Sequence, residues 1–325
     1  MIGKIFKWLG VVVVSVVALL IVAWFAFVPS PKEPGYEFVA AWGEKGDGPG
    51  QFDDPTGVAV VGAEVFVSDA RNARIQVFDL DGGFRREFGG RGSEPGQLGR
   101  PMNLTAVGDV LYVADYWNDQ VRVFGLDGSY VGGLGRGGAG PGEFNAPGGV
   151  AVGPDGDLFV ADFRNHRVQR LGADGGFVRQ WGVTGQYGIW GGEFGYPTDV
   201  ALGADGTLYV ADGYNDRVQA FAPDGRLSHK WGGPLAMNIF GPFNGWFATV
   251  TSVAVGPDGS VFVADFYNDR IQKFAPDGTF LAAFGEKGAG PGQFAHAIAV
   301  AVAQDGTVFV ADFGNNRIQK WRPKT

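Results

Sequence analysis

A fourteen-residue segment recurs six times along the chain: VFVSDARNARIQVF from Val65, LYVADYWNDQVRVF from Leu111, LFVADFRNHRVQRL from Leu158, LYVADGYNDRVQAF from Leu208, VFVADFYNDRIQKF from Val261 and VFVADFGNNRIQKW from Val308. Its aligned aspartates, Asp69, Asp115, Asp162, Asp212, Asp265 and Asp312, lie 46 to 53 residues apart. That period holds four short strands and is too rich in β-branched residues for a helical solenoid. The 56 glycines among 325 residues fit short elements separated by many turns. Each unit reads as a first strand such as GVAV at Gly57, then the VFVAD run, the RIQVF run and a fourth stretch like GFVRQWG ending near Trp181. Asp-Gly pairs mark the hairpins, Asp155-Gly156 and Asp258-Gly259 between first and second strands, Asp174-Gly175 and Asp277-Gly278 between third and fourth. A lone four-stranded meander cannot bury both of its faces, so the units must pack on one another around an axis. The fold class predicted is all-β: a six-bladed propeller of four-stranded antiparallel blades.

The sixth unit reaches Trp321 with only four residues to follow, so it lacks a fourth strand. The missing sequence stands at the other end of the chain. FVAAWGEKGDGPGQF from Phe38 is almost a copy of FLAAFGEKGAGPGQF from Phe280, which follows a third strand in the fifth unit. Phe38–Gly43 is therefore expected to pair with the segment around Ile318 and close the ring.

The pattern G-x-F, P-x-G-V-A-V, then D-G-x-x-x-V-A-D-x-x-N-x-R-[IV]-Q resembles the NHL-repeat β-propellers from Phe38 to Trp321. The resemblance implies the fold and little about activity, since similar propellers include RNA binders, ligand sensors, an amidating lyase and inert scaffolds. The lyase holds zinc with three channel histidines. Here His166 replaces the Asp of an NDR turn, His229 falls in an outer strand and only His296 aligns with the channel mouth, so no shared zinc site is expected. With no cysteine and no G-x-S-x-G elbow, neither a metal, a cofactor nor a catalytic nucleophile is assigned.

From Leu9 to Val28 every residue except Gly10 and Ser15 is apolar, enough for an α-helix to cross about 30 Å of hydrocarbon. Lys4 and Lys7 precede it, which places the N-terminus in the cytoplasm and the remainder outside, in the periplasm if the cell is Gram-negative. A cleaved signal peptide is the rival, but the run is longer than the usual h-region and no A-x-A site follows. The divisions expected are a cytoplasmic end and signal anchor over 1–28, a stiff proline-rich spacer over 29–36 and the propeller over 37–325. A closing fourth strand would run toward the variable loops, so the anchor is expected at the opposite face, with those loops pointing away from the bilayer. The net charge of −8, without Lys/Arg runs, argues against a nucleic-acid partner.

A device present in every blade braces a ring, whereas function needs an asymmetric constellation. The Asp of each second strand, Arg74, Arg167, Arg217, Arg270 and Arg317 of the third strands, and the Asn of the turn, suited to a left-handed conformation, are assigned to bracing. Departures from the repeat are the candidate binding residues. By the resemblance, loops from second to third strands surround the channel mouth; they carry Arg71, Tyr116, Trp117, Arg164, Tyr214 and Tyr267. The starts of the first strands add Thr56, Met102, Asn103, Thr198, Asp199, Thr251, Ser252 and His296, making a shallow, mostly neutral pocket. The connection from Trp231 to Val253 is the longest and most apolar, and Ile239, Phe240, Phe243, Trp246 and Phe247 within it are read as a partner contact in preference to a lid. The function expected is a membrane-tethered, extracytoplasmic, non-enzymatic protein-binding or assembly module. The alternatives are an enzyme of lyase or lactonase type, for which His296 and Asp199 would be base and orienting acid, or a small-ligand sensor at the mouth.

Overall fold

The computed structural model describes residues 27–324 together with Ser15. The expected membrane span over 9–28 thus lies outside the described residues except at Ser15, Phe27 and Val28. Among the described residues no helix is long and apolar enough to cross a membrane.

Alternation of β-branched and small residues between tight turns produces six four-stranded antiparallel sheets. Blade one comprises Pro55–Val61, Glu64–Asp69, Arg74–Asp79 and Phe84–Gly89; blade two, Pro101–Val107, Val110–Asp115, Gln120–Gly125 and Tyr130–Leu134. Blades three, four and five begin at Pro147, Pro197 and Val250 and end at Trp181, Trp231 and Phe284. Blade six comprises Ala297–Val302, Val308–Asp312 and Arg317–Pro323, and its outer strand is Tyr36–Trp42 from the start of the ring. That closing strand pairs from Tyr36 opposite Pro323 to Trp42 opposite Ile318, with an irregularity between Phe38 and Ala40. Aromatic rings anchor it on both sides. The Tyr36 ring lies 4.7 Å from Phe284 of blade five and Trp42 lies 5.9 Å from Phe78 of blade one.

The core fills the spaces between blades. Val58, Val65, Val67 and Phe78 of blade one pack on Ala299, Ala301, Phe309 and Ala311 of blade six, and the other interfaces repeat this arrangement. Each fully buried large side chain stabilises the ring by roughly 1.5–3 kcal/mol. The residue ending each glycine-rich loop joins these cores: Phe52, Leu98, Phe144, Phe194, Phe247 and Phe294 are all 0% exposed. Phe247 is therefore corrected from the apolar loop surface to the core, because it occupies the repeat's own phenylalanine position despite the long loop before it.

The brace is visible in atomic detail. Arg74, Arg167, Arg217, Arg270 and Arg317 each place Nε 2.7–2.8 Å from the carboxylate of Asp69, Asp162, Asp212, Asp265 and Asp312. The same guanidinium groups donate to carbonyls of the preceding glycine-rich loop, as Arg74 does to Gly48 and Gln51. The third-strand glutamine completes the staple, since Gln76 donates to the Gln51 carbonyl and accepts from the Gly50 N–H. Glycine-rich loops are thus structural turns. The asparagine's role differs from expectation: the left-handed residue is the next one, Ala73, Asp119, His166, Asp216, Asp269 or Asn316. The Asn amide instead bridges, Asn72 donating to Asp69 and to the Gly46 carbonyl. A short amide facing two acceptors is worth more there than its tolerance of positive φ.

Residues 27–35, just before the closing strand, lie against the ring. Lys32 and Glu33 donate their N–H groups to the Leu281 carbonyl at 2.8 and 3.2 Å, and Glu33 pairs with Lys273 at 2.8 Å. The segment runs back along the outer edge of blade five, and Phe27 ends beside Trp246, whose indole N–H donates to the Phe27 carbonyl. The proline-rich spacer joins the closing strand at the face opposite the variable loops, as expected, but it then turns back along the sheet edge so that Phe27 lies beside the blade-five loop; the anchor expected before it lies outside the described residues.

Candidate functional site: the mouth of the ring

The second residue of each first strand points to the axis, giving a ring of Thr56, Met102, Gly148, Thr198, Thr251 and Ile298. With Arg100, Asn103, Tyr116, Trp117 and Phe163 they line a cavity of about 320 Å3. Close approach of the strands explains the glycines. A Cβ on Gly57 would lie 2.4 Å from the Met102 carbonyl oxygen, and one on Gly148 would lie 2.4 Å from that of Thr198. Hydroxyls tie neighbouring blades together, Thr56 donating to the Pro101 carbonyl and Thr198 to that of Val250, both at 2.8 Å.

One layer deeper the ring reads Gly57, Asn103, Gly149, Asp199, Ser252 and Ala299, and it is asymmetric. Asp199, 5% exposed, accepts from the Ser252 hydroxyl at 2.9 Å and the Val253 N–H at 3.0 Å. Gly149 leaves room for it, since a Cβ there would come 2.0 Å from its Oδ1. Burial without a cationic partner pushes the Asp199 carboxyl up to about 7, against the pull of the Val253 and Ser252 bonds.

Aromatic rings surround the opening. Tyr116, Phe163, Tyr196 and Tyr214 follow one another at centroid distances of 6.0, 5.0 and 5.0 Å. Phe266 stacks on His296 at 4.6 Å, with Tyr267 5.5 Å from that imidazole. The cations are already engaged: Arg164 lies over Tyr116 at 5.3 Å, Arg100 over Trp117 at 5.6 Å, and Arg71 pairs with Asp54. Trp117, Tyr214 and Tyr267 remain exposed, Trp117 at 55%.

Sequence reasoning chose most of this collar but missed Tyr196 and Arg100. Both precede a first-strand proline, in the column that reads Asp54, Arg100, Ala146, Tyr196, Thr249 and His296. Its variability was the available signal. His296 and Asp199 do not act on each other: His296 N–H donates to Asp269 at 2.6 Å, its Nδ1 lies 3.5 Å from the same carboxylate, and Asp199 is taken by Ser252 and Val253. No group of three or more His, Asp or Glu that could hold a metal occurs among the described residues.

Ile239, Phe240, Phe243 and Trp246 do not line the mouth cavity. Arg270 holds the carbonyls of Pro242, Phe243 and Trp246, so this loop is seated by the same staple as the short ones. A larger cavity, about 600 Å3, lies at the opposite end of the ring and is lined by Pro154, Asp155, Ala204, Pro257 and their neighbours. Because those are the recurring first hairpin turns, it is a product of the scaffold.

The NHL repeat pattern matches residues 52–78, 144–171, 194–221, 247–274 and 294–321, which covers every blade except the second. None of the curated proteins matches the chain. Among solved structures it is similar to a protein of unknown function from Bacteroides thetaiotaomicron, at 16% identity over 91% of this chain and 84% of that one, with a TM-score of 0.67. It is also similar to the virginiamycin B lyase of Staphylococcus aureus, at 17% identity over 84% and 85%, TM-score 0.55, and to the WD40 propeller domain of Doa1, at 11% over 90% and 98%, TM-score 0.62. At such identities the likeness concerns the fold.

Proposed function

The chain belongs to the NHL-repeat β-propellers, and from that premise we propose that it is a non-enzymatic binding module, tethered to a membrane by its apolar N-terminal segment, that holds a protein partner at the mouth of its ring on the extracytoplasmic side. One observation carries this reading: the mouth cavity gathers at the one blade that departs from the repeat. Arg100, Met102, Asn103, Tyr116 and Trp117 all belong to blade two and the loop before it, where the family pattern finds no match. There Gln120 replaces the bracing arginine, and Arg122 reaches Asp115 only at 3.7 Å. A repeat maintained in five blades and altered in blade two, where a half-open aromatic cavity forms, fits recognition of an apolar side chain presented by a partner.

That His296 lies against Asp269 while Asp199 accepts from Ser252 and Val253 favours binding over a lyase-type reaction that would pair those two as base and orienting acid. The test is photo-crosslinking in native membranes with a reactive residue at position 117. A discrete protein adduct is expected, absent when Met102→Trp fills the cavity. With that partner purified, Trp117→Ala should weaken affinity roughly 30-fold, the cost of about 2 kcal/mol at a hot-spot aromatic. Crosslinking unaffected by the filled cavity would overturn the proposal.

A further inference from the structure

The loop over residues 234–248 reads PLAMNIFGPFNGWFA and contains no charged residue. Leu235 and Phe240 are 72% and 73% exposed, and Ile239 is also open to solvent. Such a cluster on the rim of a ring is unlike the repeat's other glycine-rich loops, which carry Glu, Lys or Arg at this point. Its position identifies what covers it. Trp246 donates its indole N–H to the Phe27 carbonyl, Asn244 donates to the Pro29 carbonyl at 3.2 Å, and Phe27 and Leu235 line one shallow groove. Phe27 and Val28 are the last residues of the apolar run that begins at Leu9.

We infer that this loop rests on the lipid bilayer, as an interfacial foot beside the point where the anchor leaves the membrane; the inference rests on the tethered reading above. A surface joined by a hydrogen bond to the end of a membrane span lies at the level of the headgroups. An indole with its N–H bonded and its ring beside aliphatic chains suits that level, as interfacial tryptophans do. Leu235, Ile239 and Phe240 then enter the boundary between headgroups and acyl chains, and the absence of charge removes the desolvation cost that would resist it. A soluble protein occupying the same place would have to share it with lipid. The ring is held with blades four and five toward the membrane, and blade two, across the ring, stays open to its partner.

The chain has no cysteine, so single-cysteine variants of the full-length protein report one position each. Phe240→Cys, Leu235→Cys, Ser30→Cys and Val131→Cys, the last an exposed position on the outer strand of blade two, are labelled with an environment-sensitive fluorophore. They are then reconstituted in phosphatidylcholine–phosphatidylglycerol vesicles containing lipids brominated near the headgroup end of the acyl chain. Positions 240 and 235 should be quenched as strongly as position 30 and several-fold more than position 131. Quenching at 30 with 240 and 235 behaving like 131 overturns the foot and leaves the tether standing. Quenching at none of the four overturns the tether and the foot with it.

Discussion

Replacing Arg217 by methionine tests whether the brace holds the ring together. Both Arg217 and Asp212 have side chains 0% exposed. The guanidinium bonds Asp212 at 2.7 Å, the carbonyls of Trp190 and Glu193 at 2.9 Å and that of Ala236 at 3.2 Å, and it also contacts the Ile189 carbonyl. Methionine fills much of the volume but leaves the buried Asp212 carboxylate without its cation and the Trp190 and Ile189 carbonyls without this donor, while Glu193 and Ala236 keep their bonds from Gln219 and Lys230. Removing one partner of a buried pair costs about 3–5 kcal/mol. For a ring of roughly 290 residues, at about 2.1 cal/mol/K per residue, this lowers Tm by about 5–8 °C. Arg317 makes the equivalent contacts but its side chain is 14% exposed, so water can reach the orphaned groups and Arg317→Met should cost less. Blade two indicates a rescue: with Gln120 at the arginine position, Arg122 sits two residues later. The double exchange Arg217→Gln with Gln219→Arg should recover part of the loss. Urea unfolding followed by circular dichroism and tryptophan fluorescence measures all three. Losses below about 1 kcal/mol for Arg217→Met, or equal losses at both arginines, would refute the reasoning.

Three further outcomes are expected. Gly57→Ala places a methyl 2.4 Å from the backbone oxygen of Met102, where nothing flexible can yield, and should cost about 1–3 kcal/mol in urea unfolding. Asp199 is held above its ordinary range, to about 7, so the folded state binds its proton more tightly than the unfolded one; its contribution is complete below about pH 4 and is lost as pH rises toward 7. Asp199→Asn should abolish that decline, which is at most about 1.4 kcal/mol per pH unit, and a wild-type stability flat between pH 4 and 7 would contradict the assignment. Removing residues 1–43 strips the outer strand from blade six and exposes Arg317–Pro323 as an open edge, so light scattering should detect self-association; a stable monomer would show that the closing strand is dispensable.

Much of the fold was legible because its signals are local and repeated. Period, Asp-Gly hairpins and the Asp/Arg pairing each occur in several copies, so chance similarity at one position was averaged away. The collar was legible in part: Tyr116, Trp117 and Tyr214 stood out because they occupy a loop position that varies among otherwise similar units. Tyr196 was missed because it stands just before the first strand, one position outside the strand starts that were compared among the units. Phe247 was misread for a related reason, its repeat position being hidden at the end of an insertion.

The sequence by itself determined the number of blades and their antiparallel order, since pairing within a blade follows alternation and turn chemistry over a few dozen residues, and it determined the closing strand because Phe38–Gly43 nearly copies the fourth strand of the fifth unit. Only the tertiary structure decided that blade two supplies much of the mouth's lining, that Asp199 lies buried beneath it, and that the chain leading into the ring meets the apolar loop of blade five. Those outcomes depend on which side chains distant in sequence meet across the axis or along a sheet edge. Burial, and with it charge state and exposure, is a property of such neighbours and not of the segment that carries the residue.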